Sequence, residues 1–199
     1  MSRVTFEELK GLPEYEVIRN DFRRRVIGAR NRRRVPLGNR FSICFENHDT
    51  VLFQVQEMLR AERITEPEKV RFELEVYNEL APDRSTLSAT LFIEITERQR
   101  LREELDRFQG LDREGRLYLQ IGDRHQVRAQ FEPGHSKEDR ISAVHYLRFP
   151  LSEHARRDFL EGKLPMRLVV SHPGYEHASE ITEETLLALA EDLLTPELV

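Results

Sequence analysis

In the first half of the chain, apolar residues recur mostly at helical spacing. Val17, Ile18, Phe22, Val26 and Ile27 fall on one side of a helix that opens at Pro13, where a missing N–H is no loss. Gly28 and the basic run behind it weaken that helix, and Pro36-Leu37-Gly38 is expected to end it. Ahead of it, Thr5 and Glu8 have capping-box spacing over a short helix that stops near Gly11. The clearest amphipathic arc is Val51, Leu52, Val55, Met58 and Leu59, in a helix capped by Asp49 or Thr50, with Glu62 projecting into the same arc. Thr65-Glu66-Pro67-Glu68 is a second capping box, and in the helix it opens Val70, Phe72, Leu74, Val76, Tyr77 and Leu80 surround Glu73. Thr96-Glu97-Arg98-Gln99 repeats the signal and heads a charged helix running to Gly110.

A period of two marks the strands. Phe41, Ile43 and Phe45 alternate with Ser42 and Cys44, which places Cys44 on the face away from the aromatic pair, as a structural thiol. Leu87 to Ile95 is nearly continuous in apolar character, as expected of a strand covered on both faces, with Ser88, Thr90, Phe92 and Glu94 opposite the leucines. Leu117, Leu119 and Ile121, then Val127, Ala129 and Phe131, form a hairpin about Gly122-Asp123-Arg124. Residues 132–140 read as a polar loop, followed by a strand with Ile141, Ala143, His145, Leu147 and Phe149 on one face. Ser152 caps a short helix that stops at Gly162, Arg167 to Ser171 is a last strand, and Thr182 starts a leucine-rich C-terminal helix. This order predicts an α+β fold, a helical N-terminal half packed with a mainly antiparallel sheet formed largely by the C-terminal half. It is expected as one domain over residues 1–199, helix-rich to 110 and sheet-rich after.

Composition narrows the function classes. The chain has 199 residues, 34% of them charged and 39% apolar, and a net charge of −5, which argues against general nucleic-acid binding by its surface. It holds no apolar run long enough for a bilayer span, and MSRVTFEELKG lacks the basic and apolar regions of a signal peptide. With Cys44 as the only cysteine, an internal disulfide and a single-chain thiolate cage are excluded, so a cytoplasmic location is expected. There is no Gly-x-Ser-x-Gly elbow, His-Glu-x-x-His, P-loop or Gly-x-Gly-x-x-Gly, and no catalytic residue is assigned.

Three constellations stand out. Glu62, Glu73 and His145 are ionisable groups on faces that are otherwise apolar. Together they would make a carboxylate–imidazole site for iron, manganese or zinc, or else Glu62 and Glu73 pair with arginines while His145 bonds to backbone. From Arg19 to Arg40 there are nine arginines against one acid. Arg32, Arg33, Arg34 and Arg40 would grip an anion, or else that run pairs with the glutamate-rich helices downstream. His172-Pro173-Gly174-Tyr175-Glu176-His177 follows the last strand as a loop with metal-ligating side chains at no standard spacing, and Glu46-Asn47-His48-Asp49 reads as helix-capping chemistry.

Arg33-Arg34-Val35 with Gly38, Phe45-Glu46-Asn47, the stretch TVLFQVQEMLRAERI, Tyr77-Asn78, LSATLFIE at 87–94, SAVHYLRF at 142–149 and His172-Pro173-Gly174-Tyr175 carry a resemblance. The chain resembles a bacterial family of about this length known only as a domain of unknown function. The resemblance implies a cytoplasmic accessory to redox systems, since members tend to be encoded beside rubrerythrin and an iron–sulfur oxidoreductase. The expected function is a non-enzymatic accessory or binding protein for oxidative-stress or iron–sulfur partners. A metal-dependent protein or oxidoreductase using the Glu62–Glu73–His145 set is the alternative, and an anion- or nucleic-acid-binding module the third.

Overall fold

The computed structural model describes residues 3–95, 98–113, 115–132 and 141–194. In the first part of the chain, α1 (Leu12–Arg32) leads into the hairpin of β1 (Arg34–Leu37) and β2 (Phe41–Phe45), then α2 (His48–Glu62), α3 (Pro67–Asn78), β3 (Thr86–Ile93) and α4 (Leu101–Asp106). Then come β4 (Leu117–Ile121), β5 (His125–Arg128), β6 (Gln130–Phe131), β7 (Val144–Pro150), α5 (Glu153–Glu161), β8 (Met166–His172), β9 (Tyr175–Glu180) and α6 (Glu183–Leu194). The architecture is α+β, with helices mostly in the N-terminal part and two wholly antiparallel sheets built largely from the C-terminal half. No helix among the described residues is long and apolar enough to cross a membrane.

One sheet has the order β1-β2-β3-β7-β6 and the other β5-β4-β8-β9. The chain passes from one to the other between β5 and β6. The chain bends at Ala129, whose N–H bonds to Leu117 O in the second sheet, and three residues on the Glu132 N–H bonds to Tyr146 O in the first. At the far side β1 lies along β9, and Tyr175 ties the seam: its hydroxyl donates to Leu37 O at 3.1 Å and accepts from the Asn39 N–H at 3.2 Å. The turn between β1 and β2 requires glycine on two counts. Gly38 has φ +66°, and a Cβ there would collide with the Tyr175 hydroxyl.

Because strand side chains alternate, each sheet turns one apolar row inward. Phe41, Ile43, Phe45, Leu91, Leu147 and Phe149 meet Leu117, Leu119, Ile121, Leu168 and Val170 in one core, which Leu189 and Leu193 of α6 also join. The outward face of the five-stranded sheet is covered in part by the helical layer, where Cys44 Sγ meets Arg30 O of α1 and Gln54 of α2 reaches Glu46. The helices also keep their own small cores, Val51, Val55, Leu59, Val70 and Leu74 between α2 and α3, and Tyr15, Phe22 and Val26 under α1. Buried amides staple the N-terminal segment to this layer. Val4 exchanges two hydrogen bonds with the Asn78 side chain, and Gln56 exchanges two with the Lys10 backbone.

Several elements differ from the sequence reading. α1 runs unbroken through Gly28 but ends at Arg32, ahead of the expected stop at Pro36-Leu37-Gly38, and its apolar residues split. Tyr15, Phe22 and Val26 are buried, whereas Val17 is 83% exposed. Pro36 and Leu37 extend β1 instead of breaking a helix. The first capping box spans only a 3₁₀ turn, Phe6–Glu8, with the Thr5 N–H bonded to the Glu8 carboxylate at 2.7 Å. The α2 cap is Asn47, exchanging bonds with Thr50 at 3.0 and 2.9 Å, rather than Asp49 or Thr50. In α3 Glu66 stands at the N-cap without a side-chain bond, and Phe72 is 64% exposed. A strand, β9, occupies much of what reads as a loop after His172, because an exposed edge strand needs only one neighbour and no apolar alternation. The third capping box at Thr96-Glu97 and residues 133–140 of the polar loop lie outside the described residues.

Candidate functional site

Strand register builds a polar surface on the outward side of the five-stranded sheet. Phe45 pairs with Ala89, and the Glu46 N–H extends that ladder to Ser88 O at 2.8 Å. Ser88 pairs with Arg148, and Arg148 with Gln130, so Glu46, Ser88, Arg148 and Gln130 form one row across four strands. Two residues along, Cys44 pairs with Thr90 and Thr90 with Tyr146, whose carbonyl takes the Glu132 N–H, giving a second row. Since Ala89, Leu91 and Leu147 belong to the core, their neighbours Ser88, Thr90, Tyr146 and Arg148 face outward.

A cleft of about 440 Å³ opens over these rows, with Ser88, Tyr146, Arg148 and Gln130 along the sheet, Glu79 and Leu80 from the end of α3, and Arg3 from the N-terminal segment. Ser88 is 2% exposed and its Oγ has no hydrogen-bond partner among the described residues. A buried hydroxyl without a partner costs about 1–3 kcal/mol, so such a group is rare in native structures and points to a missing partner. Arg148 is spoken for, donating to Glu79 O at 2.7 Å and to Asp83 Oδ2 at 3.1 Å. Burial, then the Glu46 and Glu132 carboxylates, push the Tyr146 phenol up, which keeps it a neutral hydroxyl.

Beneath the cleft, Glu46 is 3% exposed and accepts from Thr90 Oγ1 at 2.6 Å and Gln54 Nε2 at 3.0 Å. It forms no ion pair among the described residues, so these two neutral donors carry its desolvation. Cys44, in the second row, is a structural thiol: burial, reinforced by Glu46, pushes it up to about 11.

The sequence-predicted residues fall elsewhere. Glu62 is exposed near the end of α2 and Glu73 half-buried on α3, while His145 lies on the inward face of β7, its Nε2 2.8 Å from Ser142 O. The three are not brought together, and no group of three or more histidine, cysteine, aspartate or glutamate side chains among the described residues could hold a metal ion. Of the four arginines, Arg33 is buried against Asp192, Arg34 bonds Ser42 and Glu94 over the Phe92 ring, and Arg40 pairs with the buried Glu104 at 2.9 Å; Arg32 is exposed with no such partner among the described residues. Three of these four arginines thus pair with acids downstream, and Glu62 and Glu73 take no part. His172 is also engaged: Nδ1 accepts from the Gly174 N–H at 3.1 Å, which fixes the proton on Nε2 for Gln109 O at 2.9 Å.

His48 has a different use. Nδ1 lies 3.5 Å from Asp49 Oδ1, and Nε2 lies 3.0 Å from Glu8 Oε1, out of line for a hydrogen bond but well placed as an ion pair. The Asp49 contact chiefly, then Glu8, raise the imidazole's proton affinity, while both carboxyls are held below their usual range. A raised imidazole favours the fold fully at acid pH and loses that contribution as pH rises through its folded pKa; the lowered carboxyls lose theirs as pH falls through their own. The clip that joins the N-terminal turn to α2 is therefore strongest between the two ranges. His48→Gln is expected to remove a decline in thermal midpoint between mildly acidic and mildly alkaline pH. A variant whose decline matches the parent's would show that His48 is not its source.

Fold and cleft together define an α+β protein with a two-sheet core and an outward-facing cleft between sheet and helices. The chain belongs to the DUF3501 family of proteins of unknown function, whose model matches residues 3–193. It is also similar to a novel protein of unknown function from Burkholderia pseudomallei K96243, known from a crystal structure. That protein has 33% identity and a TM-score of 0.88 over 97% of this chain and 100% of the other. No curated protein matches.

Proposed function

We propose that this protein is a binding protein that holds a small organic molecule in the cleft over Ser88, Tyr146 and Arg148. The observation that carries this is the Ser88 hydroxyl, buried without a partner at the floor of a space of about 440 Å³. That volume falls in the usual range for small-ligand sites, roughly 300–1,000 Å³, and the mixture of apolar wall and few polar groups is theirs too. The reading is tested by a thermal-shift screen of a metabolite panel against the full chain and against Ser88→Leu, whose longer side chain fills the floor. Compounds that stabilise the parent and leave a folded Ser88→Leu unmoved support it; a panel that moves both chains alike, or neither, removes it. The accessory role beside rubrerythrin or an iron–sulfur oxidoreductase, implied by family resemblance, is the setting in which such binding would act. Retention of either protein on the immobilised chain supports that setting, and no retention even at low salt takes it away.

A further inference from the structure

Two opposite charges at the rim of the cleft have no partners among the described residues. The Val4–Asn78 clamp, with bonds of 2.7 and 2.9 Å, fixes the backbones on either side of it, and so brings Arg3 and Glu79 to the same rim. Neither side chain pairs with the other or with any other described charge, although many exposed arginines of this chain have found an acid. The third open group is the Ser88 hydroxyl at the floor. Arg148, the other cation lining the cleft, is already neutralised by Asp83. Leu80 and the outward-facing ring of Tyr146 supply apolar wall. A cation, an anion and a buried hydroxyl without partners, around an apolar recess, are complementary to a molecule with a carboxylate, an ammonium group and an apolar side chain.

Resting on the cleft-binding reading, we infer that the ligand is a zwitterion with an apolar side chain, an amino acid or dipeptide by chemical class. Its carboxylate meets Arg3 and Ser88, its ammonium meets Glu79, and its side chain lies against Leu80 and the Tyr146 ring. The test is isothermal titration of the full chain with L-leucine and L-leucyl-L-leucine, alongside N-acetyl-L-leucine, L-leucinamide and the doubly blocked N-acetyl-L-leucinamide. Either zwitterion should bind, and each blocked form should bind at least about tenfold more weakly, the worth of one lost charged hydrogen bond. Arg3→Gln should weaken the zwitterion and L-leucinamide unequally, with the zwitterion suffering more; Glu79→Gln should do the same for the zwitterion against N-acetyl-L-leucine. Both residues are exposed, so these variants fold. Binding of the doubly blocked form as tight as that of the zwitterion overturns the inference while leaving the cleft reading intact. So does silence from every leucine compound where the metabolite panel shows a Ser88-dependent response. Silence in both experiments removes both.

Discussion

Arg33→Met is expected to destabilise the protein by about 3–5 kcal/mol, the usual effect of stripping one partner from a buried ion pair. Arg33 is 4% exposed at the end of α1, and its Nη2 donates to Asp192 Oδ1 and to Ala188 O, both at 3.0 Å. The variant leaves the Asp192 carboxylate without its cation. Burial already pushes Asp192 up, against the pull of Arg33, so losing the guanidinium raises it further. For an acid, a raised folded pKa means stability that is present at low pH and lost as pH rises through that pKa. The deficit of Arg33→Met is therefore smallest in the carboxylate range and largest at neutral pH, as urea unfolding at the two conditions would show. An equal deficit at both would mean that the stranded charge is not the cause. Arg33→Met with Asp192→Leu should recover most of the loss, since an apolar pair can replace a buried ionic one.

Phe41→Ala should cost about 3–5 kcal/mol as well, by a different mechanism, lost burial plus an unfilled cavity. Phe41 opens β2 and stacks edge-on against Phe108 at 4.7 Å and Tyr175 at 5.3 Å. It thus joins the first sheet, the segment after α4 and the Tyr175 seam. Phe72→Ala is the matched control. It removes the same side chain from a position 64% exposed and should fall within about 0.5 kcal/mol of the parent. If both variants lose little, the aromatic cluster collapses around the gap and contributes less than its burial suggests.

These two phenylalanines also show where sequence reading works. Phe41, Ile43 and Phe45 declare a strand because each turn of the pleat repeats the choice, and the inward row is as predicted. Phe72 lies in an apolar arc on the helical wheel, but which part of an arc is buried depends on where the neighbouring helix sits, and that is set elsewhere in the chain. Glu62 fails for the same reason: its arc is correct and its end of α2 reaches solvent. The polar face of β3 was legible as an alternation, with Ser88 and Thr90 opposite the leucines. Its partners were not, since only the β3–β7 register sets Ser88 beside Arg148 and Thr90 beside Tyr146. The signal available was Tyr146 and Arg148 alternating with Leu147 and Phe149 in one strand. Arg33 likewise finds an acid 159 residues away, beyond any local pattern.

The pairing of β3 with β7 also has a consequence for how the chain is made. β3 is among its most apolar segments, and its β7 partner emerges from the ribosome only after α4 and the β4–β5 hairpin have been synthesised. Until then β3 can pair on one side alone, with β2, and offers an open apolar edge of the kind that recruits other chains. The nascent protein is thus most exposed to aggregation, and most in need of a chaperone, between the emergence of Ile93 and that of Val144.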